Sequence, residues 1–355
     1  MLSVGLDLHK RYSQLEAVDE AGRKRAAARV NNERAEIAAF FSSLGEPCRV
    51  VLEAGWNWGL MHDWLEGMEN VTAVELAHPF GVRAIAAAQV KTDRIDAGKL
   101  AQLLRTDLIP RAHIPGRETR ELRELVRQRL FLVGLRTRIK NRVHALLDRH
   151  HVVPPPMSDV FGKAGRTYLA KVELPGTAQP MLDQDMRLLD AIVGEVRATE
   201  RLLSQQVGDD PRVRRLLTIP GLGMILATLI ALEIDQIQRF ARPAKLVAYA
   251  GLVPTTYSSG GKTSHGGLMK MSNKWLRWAL VEGAWVAVRR DPYFRAQYGR
   301  RYKTKGPKTA IIAVARRLTE VIWHVLSEDR NYQAHPPRQN PEGYASKPRP
   351  LSLKD

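Results

Sequence analysis

Cysteine is almost missing from this chain: its 355 residues include one, Cys48. A lone thiol excludes an internal disulfide and a cysteine-based zinc cluster. Aromatic residues make up 6%. Long apolar runs are also absent. The longest, "MILATLIAL" at 224–232, has nine residues, far fewer than the roughly 20 of a membrane-spanning helix. No basic segment leads into an apolar stretch and cleavage site at the N-terminus. The expectation is a cytoplasmic protein, associated with the bacterial nucleoid and not with a membrane. Acidic residues are the last shortage: 37 Asp and Glu face 55 Lys and Arg, for a formal charge of +18 and a pI near 10.2. Such a balance points to nucleic acid ahead of any other partner.

The positive charge is unevenly placed. Residues 1–100 carry twelve basic and fourteen acidic residues. Residues 111–151 carry eleven against four, and residues 289–308 eight against one. The first hundred residues therefore have a different task from the basic segments that follow.

Periodicity divides the chain into four parts. In 1–110, "MLSVGLDLHK" reads as a buried strand ending in Asp7, "SQLEAVD" and "RKRAAARV" as its meander partners, and "NERAEIAAFFSSL" as an amphipathic helix capped by Asn31 or Asn32. "CRVVLEAG" is a second buried strand ending in Glu53. The order β-β-β-α-β-α-β-α predicts a mixed α/β sheet with helices on its faces. Residues 111–207 read as a basic helical region: one long coiled-coil-like helix over 117–151, a break at "VVPPP", an irregular stretch at 157–176, and a second long helix over 181–207. Residues 208–330 read as a mainly helical domain. Residues 331–355, with five prolines, read as a disordered tail.

Two stretches carry chemistry. "QVKTDRIDAGKLAQLL" (89–104) sets Asp93 and Asp96 among Lys91, Arg94 and Lys99. Asp93 as a helix N-cap with Asp96 three residues on is the plain reading. The spacing also puts both carboxylates on one helix face. Asp7 and Glu53 tilt the choice, because an acid ending a buried strand is costly unless it has a partner. Four hard oxygen donors suit Mg²⁺, or Mn²⁺ in its place, around a phosphodiester. This is the layout of RuvC-like and RNase H-like nucleases. His9 reads as a supporting group. The second stretch, "TTYSSGGKTSHGG" (255–267), reads as a small-residue loop in which Ser259 or Ser258 is a candidate nucleophile, with Lys262 and His265 beside it.

Three further segments read as nucleic-acid contacts. "IPGLGMILATLI" resembles a helix-hairpin-helix, with Gly221 and Gly223 offering backbone N–H groups to phosphate. Arg212, Arg214 and Arg215 stand just upstream. In "RRDPYFRAQYGRRYKTKGPK", tyrosines alternate with Arg300, Arg301, Lys303 and Lys305, a mixture suited to nucleic acid. Trp275, Trp278 and Trp285 share a helix face and are expected in the core.

Together, "GLDLHK", "VLEAG" and "KTDRIDAGKLAQLL", followed by "IPGLGMILATLIALEI", "LVAYAGLVPTTYSSG" and "LRWAL", resemble the IS-one-ten family of DEDD transposases over residues 1–330. The resemblance implies a RuvC-like domain binding Mg²⁺ through Asp7, Glu53, Asp93 and Asp96. It also implies a serine nucleophile directly before the loop glycine, matching Ser259. A covalent serine–DNA intermediate, a noncoding bridge RNA pairing with donor and target DNA, and a tetramer are implied as well. The chain departs from the family pattern at "AGWNWG" after Glu53 and at Ser272-Asn273, where Gly-Asn is usual. Two other functions fit the residues: a hydrolytic junction nuclease using the acids alone, and a non-catalytic architectural nucleic-acid binder.

Overall fold

The computed structural model describes residues 1–85, 93–259, 262–269 and 271–334. The chain forms two compact units, Met1–Glu121 and Leu122–Asp355.

In the first unit, β1 (Leu2–Leu8), β2 (Tyr12–Val18) and β3 (Lys24–Asn31) form an antiparallel meander. After α1 (Arg34–Ser43), β4 (Cys48–Glu53) pairs parallel to β1. After α2 (Trp58–Glu66), β5 (Val71–Ala77) pairs parallel to β4. The sheet order is β3-β2-β1-β4-β5. The helices α3 (Pro79–Ile85) and α4 (Asp93–Arg105) follow. One sheet face packs Leu6, Leu15 and Leu52 against Phe41 and Leu65, from α1 and α2. The other packs Val51 and Ala77 against Leu100 and Leu104 of α4. This is the mixed α/β sheet that the strand pattern predicts.

The cap of α1 differs from expectation. Glu33 is the N-cap residue and makes no side-chain cap bond. Asn31 belongs to β3, and its N–H donates to Glu36 Oε2 at 2.9 Å. Asn32 instead donates to the His9 carbonyl at 2.8 Å. Pairing with β2 takes Asn31 out of the helix.

The second unit starts within α5 (Arg117–Arg149), which runs antiparallel to α7 (Ala178–Val207). Arg129 bonds Glu200 at 2.7 Å and Arg142 bonds Asp185 at 2.8 Å, which fixes the direction of the pair. Between them lies α6 (Lys163–Leu169), in a stretch expected to be irregular. It packs with Phe161, Leu169 and Leu174 against Val143 and Leu189, a match the short helical pattern hides. Then come α8 (Pro211–Leu217), α9 (Met224–Ile234), α10 (Pro243–Tyr249), the hairpin β6 (Pro254–Ser259) and β7 (Lys262–Leu268), α11 (Lys274–Arg290) and α12 (Pro292–Ser327). The helix α12 is two segments joined at Gly306, whose φ is 76°. The helices α8 to α12 share one core around Ile230, Leu280 and Leu318.

Two expectations are corrected here. Residues 255–267 form a two-stranded hairpin, not a loop: Thr255, Thr256 and Tyr257 before the Gly-Gly pair and Thr263 after it are residue types that favour extended backbone. Residues 331–334, expected in a disordered tail, are ordered: Tyr332 stacks near Phe294 and its hydroxyl lies 2.9 Å from Asp291 Oδ2. Residues 335–355 lie outside the described residues. Among the described residues, no helix is long and apolar enough to cross a membrane.

Candidate active site

Strand alternation decides where the acids of the first unit point. Leu6 and Leu52 enter the α1–α2 core, so Asp7 and Glu53, next along each strand, face the α4 side. Leu6 pairs with Leu52 in register, which makes Asp7 and Glu53 neighbours at the C-terminal ends of β1 and β4. The helix α4 lies directly on β1. A Cβ on Gly5 would stand 2.0 Å from the Ala97 carbonyl oxygen and 2.5 Å from the Ala101 nitrogen, so only glycine admits this approach. The far end of α4 is tied to the β2–β3 turn. Gln102 Nε2 donates to the Gly22 carbonyl at 2.8 Å, and Arg105 Nη1 to that of Glu20 at 3.3 Å. The helix therefore runs opposite to β1. Its first turn stands about 6 Å beyond the Ala97 contact, and Asp7 about 7 Å beyond Gly5. Asp96 sits in that turn, and Asp93 begins the helix. The side chains of Asp93 and Arg94, and all of Lys91, lie outside the described residues.

Asp7 is braced. His9 Nε2 lies 3.1 Å from Asp7 Oδ2, and the His9 ring stacks on Tyr12 with centroids 4.8 Å apart. The His9 carbonyl accepts from Asn32 at 2.8 Å and from Asn57 at 3.3 Å. His9 thus contacts the Asp7 carboxylate while its own backbone is held by two asparagines. Lys99 Nζ approaches Asp96 Oδ1 at 3.4 Å. Composition did not single out Glu75, which faces the same side from β5. It is held by Arg49 and by Arg111 Nε at 2.6 Å. Burial opposes its charge, but the two guanidinium hydrogen bonds prevail and hold its carboxyl below the ordinary range. The alternation in "TAVEL" was the available signal. Elsewhere, His62, Asp63 and Glu66 cluster closely, but Arg120 occupies Asp63. Burial pushes the Cys48 thiol up to about 11, so it is no thiolate nucleophile at neutral pH.

Ser259 is the last residue of β6 and pairs with Lys262 across the hairpin. Its side chain and those of Lys262 and His265 lie outside the described residues, as do Gly260 and Gly261. Ser258 pairs with Thr263 and is exposed. Behind the hairpin, Arg277 bonds the Ala250 carbonyl at 3.2 Å and also reaches the Met269 carbonyl and Ser272 Oγ. Asn273 caps α11, accepting from the Leu276 N–H at 3.0 Å, and donates to the buried Glu233 at 2.8 Å. Ser272 and Asn273, the unusual pair, thus both have defined bonds.

The basic candidates divide. Arg212 forks onto Asp210 at 2.6 Å and reaches the Asp235 carbonyl at 2.9 Å. Arg214 meets Asp209, and Arg215 meets Asp329 at 2.6 Å. By contrast, Arg300, Arg301, Lys303 and Lys305 are exposed along the first segment of α12. Gly221, at φ 102°, packs against α11, where a Cβ would stand 2.4 Å from the Gly283 carbonyl oxygen. Gly223 is the N-cap of α9 and has open space before it. The tryptophans correct an expectation: Trp275, Trp278 and Trp285 are 38%, 40% and 38% exposed. The core face of α11 is instead the small-residue stripe through Ala279, Gly283 and Ala287, which lets α9 and α12 approach closely.

With the geometry in view, comparisons with known proteins converge. Residues 4–152 match a family model for DEDD transposases of the IS110 type. Residues 213–299 match the model described as transposase IS116/IS110/IS902 family. The chain belongs to this family of insertion-sequence transposases. It is 26% identical to a probable family 20 transposase of Pseudomonas aeruginosa, covering 93% of this chain and 98% of the relative. It is 27% identical to the transposase for insertion sequence element IS1328 of Yersinia enterocolitica, over 92% and 96%. It is 26% identical to the transposase for IS1111A of Coxiella burnetii, over 93% and 91%.

Proposed function

We propose that this transposase cuts and rejoins DNA through a covalent serine intermediate, with Asp7, Glu53, Asp93 and Asp96 as ligands for Mg²⁺ or Mn²⁺. The observation that carries the reading is the meeting of strand ends and helix start on one sheet face. Register brings Asp7 beside Glu53, and the Gly5 contact sets the first turn of α4 at the same end. The donor set fits a hard divalent cation, because it is all carboxylate oxygen. When bound, such a cation would supply charge stabilisation at a scissile phosphate.

The chain's own groups do the rest. His9 fixes the orientation of Asp7, and Lys99 adds positive charge beside Asp96. Ser259 Oγ attacks phosphorus, forming an Oγ–P bond as the bond from phosphorus to one sugar oxygen breaks. That sugar oxygen takes up a proton. In the return step another strand's sugar hydroxyl attacks the same phosphorus and Ser259 leaves, so the phosphodiester count is conserved. The acids and the serine belong to different units and act together within one chain or between subunits of a tetramer. A noncoding RNA pairing with donor and target DNA supplies sequence choice.

The test is denaturing electrophoresis of labelled element-end DNA after incubation with protein, Mg²⁺ and RNA transcribed from the flanking region. The expected result is a protease-sensitive shifted band, lost with Ser259→Ala and with EDTA. Free cut ends without a shifted band would replace this reading with the hydrolytic nuclease.

A further inference from the structure

At the base of the serine hairpin lies a groove of about 530 Å³ between the hairpin and α12. Its floor is apolar: Leu252, Pro254, Leu268, Ile312 and Ala313. Its rim is cationic, formed by Arg301, Lys308 and Arg316. Arg316 has an acidic neighbour, Glu320, at 3.6 Å. Among the described residues, neither Arg301 nor Lys308 has a carboxylate partner, unlike Arg212, Arg214 and Arg215. No acidic side chain lines the groove. On the hairpin side, Gly267 leaves it open, since a Cβ there would meet nothing within 4 Å, while Gly266 packs against Thr255. On the helix side, the break at Gly306 turns α12 so that Arg301, before it, and Lys308 and Arg316, after it, border the same space.

We propose that this groove holds the backbone of the DNA strand that is cut, a few nucleotides from the scissile phosphate. Three cations around an apolar floor fit a phosphate flanked by sugar and base better than a small anion or a purely apolar ligand. The choice of DNA over RNA comes from continuity and rests on the reading of Ser259 given above. The strand β6 runs from Pro254, in the groove wall, to Ser259. Five extended residues span about 17 Å, which is about five base steps of duplex at 3.4 Å each. A strand seated in the groove and followed along β6 arrives at the serine. Lys308 and Arg316 are thus positioning residues for the reaction that Ser259 performs.

Two measurements test this, both on the full chain carrying Ser259→Ala, so that neither depends on cleavage. The first is anisotropy of a fluorescein-labelled 30-base-pair DNA duplex across a salt series. Each neutralised phosphate contributes about 0.9 to the slope of log affinity against log salt. The triple variant Arg301→Gln, Lys308→Gln, Arg316→Gln should flatten that slope by 2 to 3, with an unchanged circular dichroism melt. The variant Lys163→Gln, Lys171→Gln, Arg187→Gln removes as much exposed charge elsewhere and should not reproduce the loss. The second places p-benzoylphenylalanine at Ile312 and irradiates the protein with the duplex and with RNA transcribed from the flanking region. Crosslinks to DNA support the groove assignment. Crosslinks to RNA or to a second copy of the chain, or an unchanged salt slope, overturn it. A wild-type protein that forms no covalent adduct while the groove variant still loses slope would sink the serine reading and leave the groove as a DNA site.

Discussion

In residues 1–121, the candidate ligands are fixed by a sheet that is packed on both faces. In residues 122–355, the candidate nucleophile ends a hairpin whose strands contact chiefly each other. Asp7 and Glu53 follow core residues Leu6 and Leu52, both fully buried, and α4 is pressed on β1 at Gly5. Around Ser259 the pattern is reversed: Tyr257 is 69% exposed, and Thr256, Ser258 and Ser264 are exposed as well. Two-stranded hairpins standing alone are marginal in water. The difference teaches that a cation site needs ligands held by a core, whereas a nucleophile that must meet DNA can stand on a projecting element whose base alone is anchored. Here Arg277 and Asn273 provide the anchor.

The largest expected effect breaks the comparison at the acids. Asp7→Asn, Glu53→Gln and Asp96→Asn should each lower strand cleavage by about 10⁴-fold, the scale seen when one member of a catalytic unit is removed. Melting temperature should barely change, because Asp7 and Glu53 at the sheet end and Asp96 in the first turn of α4 are all only partly buried. If Asp96 were only a capping residue, its loss would cost stability of about 0.5–2 kcal/mol and spare cleavage. Single-turnover cleavage beside a thermal melt separates the outcomes.

Next comes the anchor of the second unit. Glu233 is fully buried, bonded by Arg127 at 2.6 Å and by Asn273 at 2.8 Å. Replacing it with Gln leaves the guanidinium groups of Arg127 and of Arg123, which lies 3.8 Å away, without their counter-charge, so destabilisation of about 3–5 kcal/mol is expected by urea titration. A near-neutral result would mean that the hairpin's base is not held through this network.

Packing contrasts should be smaller. Gly5→Ala sets a methyl against the α4 backbone and should cost about 1–3 kcal/mol, with a parallel loss of cleavage as the first turn of α4 moves. Gly267→Ala enters open space and should leave the melt unchanged. Equal melts for the two would disprove the close approach of α4 and β1.

How much of this was legible beforehand follows the same divide. Buried strands, the acids at their ends and the two long helices could be read because burial imposes a period on the residues. The register of β1 against β4, which makes Asp7 and Glu53 neighbours, could not, since pairing across 46 positions leaves no local trace. The hairpin was misread as a loop because its serines and glycines outnumber the strand-favouring Thr255, Thr256 and Tyr257. The tryptophans of α11 were misplaced because spacing shows only that they share a face. Which face is buried was decided by Ala279, Gly283 and Ala287, whose small size marks close helix packing. The arginines before α9 were read as nucleic-acid contacts; their partners Asp209, Asp210 and Asp329 were not foreseen, and Asp329 is 114 residues distant from its partner.

The smallest effect sharpens the comparison through pH. Glu75 lies in the first unit between Arg49 and Arg111, which hold its carboxyl below the ordinary glutamate range. Asp210 lies in the second, capping α8 and holding Arg212, and its carboxyl is held below the ordinary aspartate range. For both, burial works against the charge and the arginine hydrogen bonds outweigh it. A carboxylate with a depressed folded pKa is deprotonated more readily in the folded than in the unfolded chain. Its stabilisation is therefore complete above the unfolded value and disappears as pH falls through the folded one. Wild-type stability should decline from about pH 4.5 downward through Glu75, and from about pH 4 downward through Asp210. Glu75→Gln should flatten the upper part of that decline and lower the plateau at pH 7. Asp210→Asn should flatten only the lower part. If the two units unfold separately, amide exchange should assign the first change to the sheet and the second to α8 and α9. An acid limb unchanged by Glu75→Gln would mean that the arginine pair stabilises its charge no more in the folded than in the unfolded chain.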